Sequence, residues 1–357
     1  MTALRFRGPV LPDGESRVLY VVDGHVTYEP VAGADTEAEG WIVPGLVDAH
    51  CHLGLDDDGA IDEVATEKQA VADRDAGALL IRDCGSAADT SWIHDREDLP
   101  RLIRAGRHIA RSKRYIRNYA HEVEPDDLAA YVVQEAQRSD GWVKLVGDWI
   151  SREEGDLAPS FPPEAFAAAI AAAHEHGAKV TAHCFGREVL PGLIDAGIDC
   201  IEHGTGLTTD LVESMARRGT ALVPTVMQLD KFPGYAEAGG AKFPDYAATM
   251  TDLFTRRRDT IMAAYEAGVS LYAGSDGGGV SRHGNLAGEV IAMAGLGLPA
   301  DYALGAASWR AREWLGWNAT LEEGAPADFV VFDRDPLADL TALLEPKCVV
   351  LRGHVVA

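Results

Sequence analysis

The feature that most constrains the fold is a series of eight short apolar runs, separated by longer segments of which several are amphipathic and rich in Ala. The runs are 45–51, 78–84, 108–112, 142–147, 179–184, 200–203, 221–226 and 271–275. Of the intervening segments, 163–176 is the clearest predicted helix, because Ala, Ile and Phe recur at helical spacing. Strand–helix alternation favours a parallel sheet covered by helices, and eight such units predict an α/β fold with a (β/α)8 TIM barrel. A doubly wound sheet is the alternative, but no Gly-rich phosphate-binding fingerprint follows any run.

Both ends of the chain differ from this central part. Residues 1–43 are typical of short strands with turns, including a hairpin signal at Asp23-Gly24. After about residue 316 strand patterns return, at 328–332 and 348–352. We therefore predict a small composite β-sandwich domain from residues 1–43 plus 316–357, and a barrel from residues 44–315.

Charge and composition exclude several classes of partner. The chain of 357 residues carries 32 Lys and Arg against 56 Asp and Glu, a net charge of -24. Such a surface repels phosphate groups, so we expect no nucleic-acid partner and no membrane partner. No run of about 18 apolar residues is present, and residues 1–10 lack the apolar stretch of a signal peptide. The five cysteines form no paired framework, and we expect a cytoplasmic protein with free thiols.

Potential metal ligands stand at the ends of the apolar runs. The first run has His50 next to its end and leads into His52, the fifth ends near His183, the sixth ends at His203, and Asp276 follows the eighth. The active site of a barrel forms at the carboxyl ends of its strands, and His residues two positions apart on a strand point to the same side. Imidazole nitrogen and carboxylate oxygen suit divalent ions such as Zn²⁺. The placement therefore predicts a metal site.

Lys144 stands in the middle of the fourth apolar run, with apolar residues on both sides. Burial lowers the pKa of an ammonium group. A neutral amine beside a metal can react with CO₂ to form a carbamate, which could bridge two cations. The alternative is an unmodified Lys144 paired with Asp148 or Asp83.

These residues resemble a known family. The sequence resembles the amidohydrolase superfamily over essentially its whole length, in segments 43–52 and 323–331 and at Lys144, His183, His203 and Asp276. The segment His283-Gly284-Asn285, together with Glu289, is similar to the prolidase-like and imidazolonepropionase-like branch.

The resemblance implies a binuclear site that hydrolyses an amide, lactam, peptide or related C–N bond of a small-molecule substrate. It implies that the metal ligands are His50, His52, Lys144, His183, His203 and Asp276. His50, His52 and Asp276 would hold the more buried ion, His183 and His203 the second, and carboxylated Lys144 would bridge them. Asp276 and His203 would be the catalytic residues, with Asp276 as general base and acid. Two Zn²⁺ per chain are implied, with other divalent metals as alternatives, and a homo-oligomer is compatible with such a barrel.

Two departures from the superfamily keep alternatives open. Glu188 lies five residues after His183, whereas deaminases of the superfamily usually have Glu three residues on. Imidazolonepropionase-type members use one metal and lack the bridging lysine, so Lys144 argues against that activity. The alternatives are a mononuclear aminohydrolase, deaminase or cyclic-amide hydrolase with unmodified Lys144, and a non-catalytic scaffold.

The densest basic cluster lies at 111–119, beside a predicted barrel mouth. Arg114 and Arg117 are candidates to bind an acidic substrate group, with Tyr115 beside them. The alternative is a solvated loop whose cations pair with nearby acidic residues. His283 is a candidate for substrate contact or for a hydrogen bond to a metal ligand.

The longest predicted loop spans 227–246 and contains several Pro and Gly residues. We predict that it acts as a lid, with Lys231, Phe232, Tyr235 and Tyr246 available to contact substrate. An ordered surface loop or a subunit contact is the alternative.

Overall fold

The computed structural model describes residues 3–279 and 281–357, and this part of the chain contains 21 strands and 11 α-helices. The strands are β1 (Leu4–Val10), β2 (Glu15–Val22), β3 (His25–Thr27), β4 (Asp35–Glu39), β5 (Trp41–Pro44), β6 (Leu46–Cys51), β7 (Leu55–Asp56), β8 (Gly59–Ala60), β9 (Ala78–Asp83), β10 (Arg101–Arg104), β11 (Ile109–Arg111), β12 (His121–Val123), β13 (Trp142–Val146), β14 (Asp148–Ile150), β15 (Leu157–Pro159), β16 (Lys179–Cys184), β17 (Cys200–His203), β18 (Ala221–Val223), β19 (Phe329–Phe332), β20 (Cys348–Leu351) and β21 (His354–Val355). The helices are α1 (Glu63–Asp75), α2 (Leu128–Arg138), α3 (Pro163–Glu175), α4 (Leu190–Asp195), α5 (Thr209–Arg218), α6 (Val226–Leu229), α7 (Phe232–Gly240), α8 (Pro244–Glu266), α9 (Leu286–Leu296), α10 (Ala300–Ala306) and α11 (Trp309–Trp314). Short 3₁₀ helices span Ser91–Asp95, Pro125–Asp127 and Leu340–Leu344.

The apolar runs of the central part form parallel sheets. One sheet has the order β10–β9–β6 and a second has the order β12–β11–β13–β16–β17–β18. Single bridges join Leu222 to Leu271 and Cys51 to Gly277, so the last apolar segment pairs with both β18 and β6. The chain itself connects β10 to β11, which lie in different sheets. Together with this chain connection, the hydrogen bonds link every run to the next and the last run to the first.

Three of the eight predicted strands differ from the observed elements, and one of them is the run 221–226, in which β18 ends at Val223 and α6 begins at Val226. In place of the third predicted strand, at 108–112, the structure has two strands. β10 lies before the predicted run and pairs with β9, and β11 lies within it and pairs with β13. The predicted run 271–275 makes only isolated bridges instead of a regular ladder in the described structure. Helix α3 matches its prediction closely and buries Phe166, Ala169, Ile170 and Ala173, one face at helical spacing.

The two ends of the chain meet in one eight-stranded sheet of order β21–β20–β19–β5–β1–β2–β3, with β4 paired to β1. The hairpin predicted at Asp23-Gly24 is confirmed, because both residues have positive φ (49° and 81°) and Val22 pairs with His25. The expected pairing of terminal strands is therefore present. The division into domains at residues 43 and 316 stays a prediction.

The prediction of a long loop at 227–246 is wrong, because this segment contains α6, α7 and the start of α8. Pro233 lies in the first turn of α7, and Pro244 is the first residue of α8. Proline is favoured at such positions, since the amide it lacks has no partner within the helix. The Pro residues therefore mark helix starts here.

Antiparallel strands β14 and β15 form a hairpin that follows the carboxyl end of β13. The Tyr246 amide of α8 donates to the Gly155 carbonyl at 3.2 Å, and the Thr249 hydroxyl donates to Asp156 Oδ2 at 2.6 Å. The hairpin and α8 are thereby held together at the strand ends that carry the predicted ligands. None of the helices in the described part of the chain is long and apolar enough to cross a membrane.

Candidate functional site

All six predicted ligands line one cavity of about 400 Å³. They are His50 at the end of β6, His52 just after it, Lys144 in β13, His183 in β16, His203 at the end of β17 and Asp276 after the bridge at Leu271. The parallel pairing of these strands brings their carboxyl ends together, which is why residues far apart in sequence meet here.

Three of these side chains form a tight cluster. His50 Nε2 lies 3.0 Å from Asp276 Oδ1, His52 Nε2 lies 3.2 Å from the same oxygen, and the two nitrogens are 3.2 Å apart. Ligand atoms bound to one ion at about 2.1 Å lie about 3.0 Å apart in octahedral and about 3.4 Å apart in tetrahedral coordination. His203 also offers a nitrogen within 4.8 Å of His50 and Asp276. The donor types and spacing therefore fit a divalent cation.

Hydrogen bonds orient two of the imidazole rings. His52 Nδ1 donates to the Gly85 carbonyl at 2.9 Å. His203 Nδ1 donates to Thr225 Oγ1 at 2.6 Å, and that hydroxyl itself donates to the Pro224 carbonyl. A hydrogen on Nδ1 leaves Nε2 as the atom with a free lone pair, which is the state a metal ligand needs.

Left-handed backbone recurs around the site. His203, Thr225 and Asp276 have φ values of 66°, 47° and 52°. For non-glycine residues this conformation costs free energy and is maintained only by the surrounding structure. These backbone conformations set the side-chain directions of the proposed ligands His203 and Asp276, and of Thr225, the hydrogen-bond partner of His203.

Burial sets the protonation of His183 and His203, whereas for His50 burial acts to lower the pKa but the Glu202 carboxylate raises it well above the usual value. Burial lowers the pKa of His183 well below the usual range and the pKa of His203 to about 3, so both rings are neutral. His183 Nε2 is buried and has no hydrogen-bond partner among the described residues. Burial alone would raise the pKa of Asp276, but the neighbouring His50 and His52 hold it well below the usual range, so this group is a carboxylate. Neutral imidazoles and a carboxylate are the forms that bind cations.

Lys144 is buried in β13, as predicted, but its partner is Glu202. Neither alternative partner forms a salt bridge with Lys144 in the described structure; Asp148 accepts the amides of Phe185 and Gly186, and Asp83 accepts the Gly85 amide. The Lys144 ammonium is therefore neutralised by a neighbouring carboxylate in the described structure.

Glu202 is a residue of the site that the sequence prediction missed. Its side chain is fully buried and accepts a hydrogen bond from the Thr181 hydroxyl at 2.7 Å. Its Oε1 also lies 3.3 Å from His50 Nδ1 and 3.9 Å from the Arg82 guanidinium. The available signal was its position immediately before His203, in a run that is otherwise apolar.

Of the predicted substrate-binding residues, Tyr115 lines the cavity. Burial raises its pKa well above the usual range, so the hydroxyl stays neutral. Arg114 and Arg117 are not among the described residues that line the cavity. Arg114 donates to the carbonyls of Trp149 and Ala158 at 2.9 and 2.7 Å, so it holds the β14–β15 hairpin, while Arg117 is exposed.

His283 also lies outside the described cavity wall. Its Nδ1 donates to Asp73 Oδ2 at 2.7 Å, and the Gly284 amide donates to the other oxygen of Asp73. Burial acts to lower the pKa of His283, but the Asp73 carboxylate raises it above the usual value. This contact ties the segment after Asp276 to helix α1, so the structure gives His283 a positioning contact.

The remaining cavity wall is largely aromatic and aliphatic. The other lining residues are Asp57, Ile116, Tyr119, Trp149, Ile150, Leu157, Phe185, Gln228, Tyr235, Tyr246, Gly278 and Gly279. Tyr235 and Tyr246, which the sequence analysis proposed as contact residues, are in this set, whereas Phe232 is fully buried.

Comparison with known proteins gives one family. The model of the amidohydrolase family matches residues 41–356. An uncharacterized protein of Mycobacterium tuberculosis is 53% identical over 353 residues, which cover 98% of this chain and 95% of that protein. Ochratoxinase of Aspergillus niger is 26% identical over 212 residues, 58% of this chain and 43% of that protein.

Among solved structures, a Xaa-Pro dipeptidase with methionine bound in its active site is similar, with a TM-score of 0.84 at 21% identity. The match covers 99% of each chain. The matched family and this neighbour imply a TIM barrel with an added β domain, in agreement with the pairing of the strands.

Proposed function

The chain belongs to the amidohydrolase family, and we propose that it is a metal-dependent hydrolase that cleaves an amide, peptide or related C–N bond of a small molecule. The family membership confirms the resemblance described from sequence and sets aside a non-catalytic scaffold. The observation that carries the proposal is the cluster of His50, His52 and Asp276, whose ligand atoms lie 3.0 to 3.2 Å apart in the wall of the cavity.

We assign the ligands in two groups. His50, His52 and Asp276 would hold one ion, His183 and His203 a second, and Lys144, carboxylated on Nζ, would bridge both. The unpaired and buried Nε2 of His183 supports the second group, because a buried nitrogen without a partner needs a ligand. Zn²⁺ suits this set of nitrogen and oxygen donors.

Divalent cations, when bound, would acidify a water molecule and polarise the substrate carbonyl. Asp276 Oδ1 would accept the proton of the attacking water and return it to the leaving nitrogen, as general base and then general acid. Its lowered pKa keeps it ionised for the first step. His203, which is hydrogen-bonded to Thr225, would help to hold the second ion and would thereby fix the position of the substrate carbonyl oxygen.

One observation favours a second candidate, a mononuclear aminohydrolase, deaminase or cyclic-amide hydrolase. Lys144 and Glu202 form a buried ion pair, and a carbamate on Lys144 would place two negative groups side by side. In this alternative Lys144 remains an ammonium group, and only the cluster around His50 holds an ion.

Metal content separates these candidates. We would measure ions per chain by elemental mass spectrometry in protein purified without chelator, and expect about two. About one ion per chain, with no second ion and no gain in activity after metal addition, would contradict the binuclear proposal and favour the alternative.

Hydrolysis is then tested on dipeptides, acylated amino acids and cyclic amides. We expect Asp276→Asn to lower kcat by at least about 10²-fold, while His354→Ala, which changes an exposed histidine of β21, serves as the control. If the metal-free protein hydrolyses these compounds as fast as the metal-loaded protein does, the proposed function is contradicted.

A further inference from the structure

The short helix α6 begins without the cap that its own sequence offers. Thr225 is the N-cap residue, but its backbone is left-handed, with φ of 47°, and its side chain makes no capping hydrogen bond. A Thr at this position ordinarily has extended backbone and accepts a hydrogen bond from one of the first helical amides. The first amides of α6 therefore need another acceptor.

The hydroxyl of Thr225 serves the proposed metal site instead. Its Oγ1 accepts a hydrogen bond from His203 Nδ1 at 2.6 Å and donates to the Pro224 carbonyl at 2.8 Å. This hydroxyl is thus fully engaged on the side of His203. Thr225 orients a proposed ligand, and it cannot cap α6 with the same group.

Glu289 of α9 supplies the missing cap. Its side chain is fully buried, Oε1 accepts the Val226 amide at 2.6 Å, and Oε2 accepts the Met227 amide at 2.9 Å. These are the first two amides of α6, which have no acceptor within their own helix. One carboxyl group from a distant part of the chain therefore satisfies both.

The surroundings of Glu289 offer it no counter-ion. It forms no salt bridge with the other residues in the described part of the chain, and the acidic groups of Asp48 and Asp276 act on it by repulsion. Burial of an acid in such surroundings costs free energy. The two amides of α6 are the groups that hold this carboxyl group in place, and it holds them in return.

The same cap fixes a residue of the cavity wall. The amides of Gln228 and Leu229 donate to the Thr225 carbonyl at 2.8 and 3.2 Å, so α6 continues directly from the capped turn. Gln228 lines the cavity, and its Nε2 donates to the Tyr235 hydroxyl at 3.0 Å. The position of α6 therefore affects both the partner of His203 and the wall that borders the substrate.

We infer that Glu289 is a positioning residue of this site: it caps α6 in place of Thr225 and thereby keeps the Thr225 hydroxyl on His203, in the direction that the second group of ligands needs. The inference deepens the proposed function and rests on it for the bound ion, whereas the hydrogen bond of His203 is independent of it. Replacing a group that orients a metal-binding histidine typically weakens metal affinity about 10- to 100-fold. We expect Glu289 to have such an effect although its hydrogen bonds in the described structure go to backbone amides.

Nuclear magnetic resonance of the metal-free protein, with histidine labelled in its ring nitrogens, tests the hydrogen bond. A buried hydrogen on Nδ1 that Thr225 holds should exchange slowly with water and give a signal, which we would assign by its loss in His203→Gln. The amide group of Glu289→Gln offers one acceptor oxygen instead of two, so we expect this variant to broaden the signal beyond detection. Val290→Ala, the next position of α9, removes buried volume without touching the cap and should keep the signal.

Titration of the metal-free protein with Co²⁺, followed by visible absorption, measures the effect on metal binding. We expect Glu289→Gln to weaken one binding event about tenfold, and Val290→Ala to leave the affinities within about twofold of the parent. Thr225→Val removes the hydroxyl and should weaken the same event at least as much. Since Glu289 acts through Thr225, Glu289→Gln should then have no further effect in the double variant.

An unchanged histidine signal or unchanged Co²⁺ affinity in Glu289→Gln, equal losses in Val290→Ala, or additive effects in the double variant would each overturn the inference. If Glu289→Gln does not fold, Glu289→Asp gives the same comparison, because its shorter side chain cannot reach both amides. If the protein binds no divalent cation, the proposed function fails, whereas the histidine signal still decides whether Glu289 holds His203 through Thr225.

Discussion

Lys144→Met in the metal-free protein tests the buried ion pair directly. The side chains of Lys144 and Glu202 are 1% and 0% exposed, so the substitution leaves a carboxylate without its partner and without water. Removing one member of such a pair typically costs about 3–5 kcal/mol. Glu202 keeps its hydrogen bond from Thr181 and its proximity to His50 Nδ1, so we expect the lower end, about 3 kcal/mol.

The double variant Lys144→Met with Glu202→Gln removes both charges, and we expect it to be at least about 1 kcal/mol more stable than Lys144→Met alone. Urea unfolding after treatment with chelator, followed by circular dichroism, measures each free energy of unfolding. Lys179→Met, at the exposed start of β16, is the control and should change stability by less than about 1 kcal/mol.

Two results would refute this reasoning. A free energy of unfolding for Lys144→Met within about 0.5 kcal/mol of the parent protein would mean that the pair is exposed or absent in the metal-free state. A double variant less stable than Lys144→Met would mean that Glu202 is stabilised mainly by its other neighbours.

Three further predictions concern packing, pH and substrate binding. A Cβ at Gly206 would lie 2.4 Å from a backbone carbonyl carbon, so Gly206→Ala should lower the free energy of unfolding by more than about 2 kcal/mol. Gly295→Ala, in open space on α9, should instead raise the free energy of unfolding by about 0.5–1 kcal/mol. Equal effects of the two substitutions in urea unfolding would contradict this prediction. Burial raises the pKa of Glu289 from 4.5 to about 8, so its contribution to stability is fully present below about pH 4.5 and is lost as the pH rises through 8. The free energy of unfolding of the parent protein, relative to that of Glu289→Gln, should therefore fall between these pH values. A difference between the two proteins that stays constant with pH would contradict this prediction. Arg117→Ala should leave KM unchanged, since this side chain is exposed. Arg114→Ala should raise KM for acidic and neutral substrates alike, because Arg114 holds the β14–β15 hairpin. If steady-state kinetics show that either substitution raises KM for acidic substrates alone, an anion-binding role of that arginine is restored.

Periodicity predicted much of the fold because the relevant signals are local. The runs 179–184 and 200–203 match β16 and β17 without error, and the hairpin at Asp23-Gly24 follows from two residues that tolerate positive φ. The segment 227–246 was assigned wrongly, because Pro and Gly mark both loops and first turns of helices. Tertiary context decides between the two, and a sequence does not display it.

Five of the six proposed ligands follow one rule, a position at or next to the carboxyl end of an apolar run, and Lys144 is the exception inside a run. Glu202 does not follow this rule, since it lies inside β17 and is stabilised by contacts from three other strands, through Lys144, Thr181 and His50. Each of these contacts depends on strand register, which periodicity alone leaves undetermined. A buried acid in an apolar run is therefore a signal that some cation lies near, without identifying which one.

The basic cluster at 111–119 shows why the charge of a substrate has to be argued from the cavity. A dense group of cations in an acidic chain suggests an anion site, yet a guanidinium group binds whichever acceptors the fold places within reach. For Arg114 these acceptors are backbone carbonyls of the β14–β15 hairpin.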